Sequence, residues 1–181
     1  AFAQVLSGAI TAPDVTGRML VLMATKGSAH FAVDSVRLSA MGTFEFAAAG
    51  MLGAGFYQLA FNDSDRVDLI LDGKERAVAL AFSGKPLQSH VTVLQSPENQ
   101  RLWKYKSISR ETQAVLETVA REKSVLDPLD YRRILSLDSI ERNAVQAKER
   151  MLQQLVLEDP DSYFAKVVKT RKRLDLLTVL T

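Results

Sequence analysis

The stretch Ala32–Gly50, AVDSVRLSAMGTFEFAAAG, reads as two short strands across a small glycine turn. Val36 and Leu38 share one parity, as do Phe44 and Phe46, while Arg37 and Glu45 take the other. Successive side chains of a strand point to opposite faces, so one face is apolar and the other wet. The pattern predicts a hairpin whose apolar face lines the interior of a layered β domain.

Working outward, the same signal recurs. RMLVLMA (Arg18–Ala24), FAVDSVRL (Phe31–Leu38), TFEFA (Thr43–Ala47), FYQLAF (Phe56–Phe61), RVDLIL (Arg66–Leu71), RAVALAF (Arg76–Phe82) and LQSHVTVL (Leu87–Leu94) are short runs rich in β-branched and aromatic residues. Turn signals separate them at roughly ten-residue intervals, as in a sandwich or barrel. With an opening strand around Val5–Ile10, the reading is an antiparallel β-sandwich or barrel of about eight strands. DGKE, Asp72–Glu75, is expected to join two of them as a hairpin, because Asp-Gly tolerates the positive φ of a tight turn.

All nine glycines lie at or before Gly84. The glycine-free remainder therefore predicts helices. Ser96-Pro97-Glu98-Asn99 is a helix start: a serine cap, proline in the first turn, and an acid beside it. Leu102, Tyr105, Thr112, Leu116 and Val119 follow at helical spacing. A second helix is expected from Asp127-Pro128, capped by Asp127, with the stripe Tyr131, Ile134, Leu137, Ala144, Ala147, Met151 and Leu155. A third starts at Asp159-Pro160-Asp161-Ser162 and carries Phe164, Val167 and Val168. The tail RKRLDLLTVLT is compatible with a helix end, a strand or a linker. The fold class is thus α+β: a β domain at 1–95, then a helical domain at 96–181 made of a helical hairpin and a short third helix.

The chain has 181 residues, 47% hydrophobic and 24% charged, with a net charge of +2. That charge makes no case for nucleic acid or an anionic membrane as partner. No apolar run reaches the roughly 20 residues of a membrane-spanning helix. Residues 1–95 hold seven basic and eight acidic groups, and residues 96–181 hold sixteen and thirteen. Cysteine is absent, which excludes thiol catalysis, disulfides and cysteine-ligated metal within this chain. The opening AFAQ has the small-x-small form that a signal peptidase prefers, with Gln4 as first mature residue, and so points to export.

The chemistry-bearing residues favour structural roles. His30 and His90 lie in or beside strands, in no metal-ligand pattern. No Gly-x-Ser-x-Gly elbow is present. NDSDRVD, Asn62–Asp68, clusters acids that could ligate calcium, but it lacks the glycine and distal glutamate of an EF-hand loop and fits a hairpin turn. GMLGAG, Gly50–Gly55, has no phosphate-binding lysine and reads as a flexible inter-strand loop. KTRKR, Lys169–Arg173, is a dense basic run without interleaved aromatics and reads as a solvated helix end. Trp103 and Tyr105 are the candidate partner contacts, with one of them expected to plug the first long helix onto the β domain. No catalytic, cofactor-binding or metal-ligating residue is assigned, and no cofactor is implied.

The order of these features resembles the N-terminal β domain and helical region that precede thioredoxin-like modules in exported thiol–disulfide oxidoreductases of Bacteroidetes-type bacteria. The residues carrying the resemblance are Gly8 in the first strand, Gly17-Arg18, Asp34-Ser35, Gly42-Thr43-Phe44-Glu45-Phe46, Tyr57-Gln58-Leu59, and in the helical half SPENQRLWKY and DPDSYFAKVVK. It covers nearly the whole chain. The family's redox chemistry belongs to a Cys-x-x-Cys in a downstream thioredoxin fold, so no catalytic residue carries over to this cysteine-free chain. The resemblance implies a non-catalytic accessory domain in the periplasm or cell envelope. Its partner would be a downstream thioredoxin-like domain, a protein, or a second copy in a homodimer. The chain is then an N-terminal portion of such a protein or a stand-alone relative. The alternative is a stand-alone β-sandwich of the envelope that binds carbohydrate or peptide.

Overall fold

The structure, a computed structural model, describes residues 4–179, except for the side chains of Ala48 and of residues 172–179. The AFA opening and Leu180–Thr181 lie outside the described residues; Gln4 is buried. The chain forms two compact units, Ala1–Leu102 and Trp103–Thr181.

The first unit holds β1 (Val5–Ile10), β2 (Met19–Lys26), β3 (Ala29–Arg37), β4 (Thr43–Phe46), β5 (Gly55–Ala60), β6 (Arg66–Leu71), β7 (Ala77–Phe82) and β8 (Val91–Gln95). They make two four-stranded sheets, one ordered β4-β1-β7-β8 and the other β3-β2-β5-β6. The expected apolar face is buried in six of the strands, while β3 and β8 hold no buried residue and β6 also buries Ile70 on its other face. Leu6, Ile10, Phe44, Phe46, Val78, Leu80 and Phe82 of the first sheet are buried, as are Leu20, Leu22, Leu59, Val67, Leu69 and Leu71 of the second. The Phe44 ring lies 6.1 Å from Phe46 and 6.5 Å from Phe82, centroid to centroid.

Pairing departs from the sequence reading at two turns. Ala32–Gly50 is not a hairpin: β3 pairs with β2, and β4 pairs with β1, so Ser39–Gly42 carries the chain from one sheet to the other. Ser39 Oγ accepts the Met41 and Thr43 N–H groups at 3.2 and 3.1 Å, and Gly42, at φ +75, accepts the Ile10 N–H at 2.9 Å. DGKE is likewise an inter-sheet crossing, because β6 and β7 belong to different sheets. Its Asp72 carboxylate accepts the Lys74 and Glu75 N–H groups at 2.9 and 3.0 Å. β7 runs parallel to β1, the one parallel pair among the described strands, which are otherwise antiparallel.

Gly8 is where β1 meets both neighbours, paired with Phe44 on one side and Leu80 on the other. A Cβ there would collide with the Leu80 carbonyl oxygen and the Phe44 ring. The last predicted strand is shorter than expected. Leu87–Ser89 is a 3-10 turn, because the buried Asp65 carboxylate captures the Leu87 N–H at 2.7 Å and Ser89 N–H turns back to Pro86 O. Asp65 thereby ties the β5–β6 turn of one sheet to the β7–β8 connection of the other. The segment after β4 is also ordered: Ala47–Met51 is a 3-10 turn, and Tyr57 OH donates to Gly53 O at 2.6 Å.

Three helices follow: α1 (Pro97–Val125), α2 (Tyr131–Glu158) and α3 (Tyr163–Val179). The division between the two units falls within α1. The cap of α2 is Asp130, not Asp127, and accepts the Arg133 N–H at 3.1 Å. Asp127 instead closes the preceding turn through Leu129 N–H, so the helix starts later and Tyr131 is exposed rather than part of the buried stripe. Ser162 Oγ caps α3 through Ala165 N–H at 3.1 Å, and the ambiguous tail is helical to Val179. α1 and α2 form a hairpin clasped near its turn by Lys123, 2.7 Å from Asp138 and 2.9 Å from Glu141, and by Arg133 on Glu122. Val119, Leu137, Leu152, Leu155, Phe164 and Ala165 are buried in this unit.

Candidate functional site

The most built polar arrangement lies where the β unit hands the chain to α1. It draws on the β6–β7 turn (Glu75), the residue before α1 (Ser96), the first turn of α1 (Glu98, Asn99) and the backbone of β6 (Ile70). β6 is an edge strand, and an edge presents backbone groups that need partners. Asn99 supplies them. Its Oδ1 accepts the Ile70 N–H at 2.7 Å and its Nδ2 donates to the Ile70 carbonyl at 2.8 Å, so one fully buried amide stands in for a neighbouring strand.

Ser96 holds Asn99 in place. Its Oγ accepts from Asn99 N at 3.1 Å and from Asn99 Nδ2 at 2.8 Å, and donates to Glu75 Oε2 at 2.5 Å. The other Glu75 oxygen accepts the Glu98 N–H at 2.9 Å. The knot holds Ser96 at φ 150, a backbone region that side-chain-bearing residues rarely adopt. Burial pushes the Glu75 carboxyl above its ordinary range. The hydrogen bonds from Glu98 N–H and Ser96 Oγ pull it back in part, and the charges of Asp72 and Glu98 push it up further. The Ser96 hydroxyl, buried and committed on both sides, faces a carboxyl and no histidine. Chemically the arrangement is a joint that fixes the first turn of α1 to the edge of a sheet. Sequence reasoning found Ser96 and Glu98 as cap and first-turn acid, but not Glu75 or the edge role of Asn99. The available signal was an asparagine in the first helical turn, three residues after the cap.

The residues singled out from sequence are dispersed. Tyr105 packs edge-on against Phe164 of α3 at 6.2 Å, with Lys148 Nζ 6.0 Å from its ring. Trp103 is half-buried, with Lys106 and Arg110 at 5.5 and 5.9 Å from its ring. His30 Nδ1 meets Thr25 Oγ1 at 3.2 Å near the β2–β3 turn, and His90 Nδ1 meets Pro86 O at 3.0 Å. The acids of Asn62–Asp68 diverge: Asp63 pairs with Arg66, Asp65 holds Leu87 N–H, and Asp68 accepts from Gln58 Nε2. Asn62 Oδ1 accepts from Ser64 and Asp65, as in a turn. Among the described residues no three His, Cys, Asp or Glu side chains converge as a metal site would need. In the basic run, Lys169 Nζ donates to Pro160 O at 2.8 Å, while the Lys172 and Arg173 side chains lie outside the described residues. No described helix is long and apolar enough to cross a membrane.

One open hollow of about 350 Å³ lies at an end of the β unit, walled by Ile10, Thr11, Pro13, Val15 and Met41, with no aromatic ring in its lining. A second, of about 430 Å³, lies against Lys123, Asp138, Glu141, Arg142 and Val145 of the helical hairpin. No protein-family model and no curated protein matches this chain.

Proposed function

We propose that this chain is a non-catalytic accessory and interaction module of a cell-envelope thiol–disulfide oxidoreductase-like protein, one that positions a thioredoxin-like domain or its protein partner. The observation that carries the reading is the ordered set of residues from Gly8 to Leu59, whose spacing resembles that family's N-terminal domain. Their local roles make the set a coherent frame. Gly8 leaves room for the Phe44 ring and the Leu80 carbonyl beside β1, Gly17 O accepts from Arg37 Nη1 at 2.8 Å, Asp34 Oδ1 holds Ser35 N–H, and Gly42 makes the inter-sheet turn.

The interaction part of the reading draws on the turn of the helical hairpin. Val125, Leu129, Tyr131 and Leu135 cluster there in sequence and are 65 to 82% exposed. Large apolar side chains gathered on a surface mark contact sites more often than scattered ones do. The decisive experiment reads the coding frame beyond Thr181. A thioredoxin pattern with Cys-x-x-Cys supports the proposal; a stop codon directly after Thr181 removes its main support.

A further inference from the structure

We propose that the chain pairs with a second copy of itself through one face of α2, antiparallel and about a twofold axis at the level of Ile140. The face is Tyr131, Leu135, Asp138, Arg142, Val145 and Glu149. These residues stand alternately four and three apart, so they line one side of the helix as the seam of a coiled coil does. None of them is buried: Tyr131 is 65% exposed, Leu135 68% and Val145 41%, Arg142 and Glu149 are exposed, and Asp138 is half-buried. Leu152, next in the same rhythm, is buried within the helical unit, so the open seam ends at Glu149.

The order of residues is self-complementary in one orientation. Two antiparallel copies set Leu135 against the second copy's Val145, Asp138 against its Arg142, and Tyr131 against its Glu149, and the twofold repeats each contact. Apolar meets apolar, carboxylate meets guanidinium, and a phenol donates to a carboxylate. A parallel pair sets Asp138 on Asp138 and Arg142 on Arg142, and like charges oppose it. The charges within one chain leave the same gap. Lys123 faces two carboxylates, Asp138 at 2.7 Å and Glu141 at 2.9 Å, so one negative charge is uncompensated. Arg142 has no ion-pair partner among the described residues, and the second copy's Arg142 supplies the missing cation. The open hollow of about 430 Å³ is walled in part by Asp138, Arg142 and Val145, the wall that the second copy's Leu135 and Arg142 face. This pairing stands apart from the accessory reading: the coding frame tests that one, and the state of association tests this one.

The experiment is analytical ultracentrifugation of the full chain over a concentration series reaching about 1 mM. The unmodified chain should sediment as a dimer whose fraction rises with concentration. Arg142→Glu places two carboxylates at each charged contact, and Asp138→Lys places two cations there. Each variant alone should weaken the dimer by at least about tenfold in dissociation constant. Mixed one to one, the two variants restore opposite charges at both contacts and should recover the dimer. A role confined to the fold of one chain gives no such rescue between copies. A monomer throughout the series, a dimer indifferent to both changes, or a mixture that stays monomeric while circular dichroism shows both variants folded would overturn the proposal. Should either variant fail to fold, cysteines decide the matter, since the chain has none of its own. Leu135→Cys and Val145→Cys chains, mixed and oxidised, should form a disulfide-linked dimer between unlike variants. Cross-linking only between like variants, or none at all, would refute the antiparallel pair.

Discussion

Replacing Asn99 by alanine tests the joint directly. The substitution removes the acceptor for Ile70 N–H and the donors to Ile70 O and Ser96 Oγ. Both Ile70 groups are left at a sheet edge where the residue is fully buried, and alanine opens a gap without offering a partner. A buried backbone group left unsatisfied costs about 1–3 kcal/mol, so the pair costs about 2–6 kcal/mol. The better helix propensity of alanine returns about 0.5 kcal/mol. Against the roughly 5–15 kcal/mol of a typical domain, the net loss is a large share of the total. The assay is urea unfolding followed through the amide signals of β1 and β6, so that the β unit is read separately from the helices. A loss below about 1 kcal/mol would show that water replaces the amide freely and that the edge does not depend on Asn99. Asn99→Asp divides the effect: it keeps an acceptor for Ile70 N–H but turns a second oxygen toward the Ile70 carbonyl. Its penalty should therefore shrink on acidification.

Phe44→Ala should cost about 3–5 kcal/mol in the same assay, since Phe44 is buried against Phe46 and Phe82; under 1 kcal/mol would contradict its place in the core. Gly8→Ala should cost about 1–3 kcal/mol, because its new methyl meets a backbone oxygen that moves only with β7; unchanged stability would mean that the β1–β7 pairing yields freely. Asp65→Ala should cost about 1–3 kcal/mol and raise hydrogen exchange first at Leu87 N–H; exchange unchanged there would contradict the tie between the two sheets. The double change Leu129→Glu and Leu135→Glu should leave the circular dichroism and melting of the chain intact while weakening its binding to a thioredoxin-like domain or its self-association in light scattering. Unchanged association would remove the hairpin turn as a contact site.

How much of this was legible before the structure can be read from particular residues. The parity of Phe44 and Phe46, the cap at Ser96, the start of the third helix after Asp159–Ser162, and the stripe positions Leu102, Val119 and Leu155 follow from local chemistry and periodicity, and each occupies its expected place. A strand's alternation and a helix's cap depend on residues a few positions apart, so a linear reading captures them. The same reading paired β3 with β4 and β6 with β7, and the structure separates both pairs into different sheets. The turn residues are the same in either case: Gly42 and Gly73 adopt positive φ whether the chain doubles back in one sheet or crosses to the other. Which strand lies alongside is settled by burial of whole faces and by the edges left open, neither of which a four-residue turn encodes.

The candidate site divides along the same line. The chain order alone dictated strands, a helix start at Pro97 and a polar Ser-Pro-Glu-Asn at the junction. It did not bring Glu75 to Ser96, 21 positions away, or Asn99 to Ile70, 29 positions away. Those meetings required the β6–β7 crossing to deliver a carboxyl beside the departing helix, and required β6 to be an edge in need of a partner. Folding the apolar faces together sets those positions, and buried backbone groups then demand whatever polar side chain lies within reach.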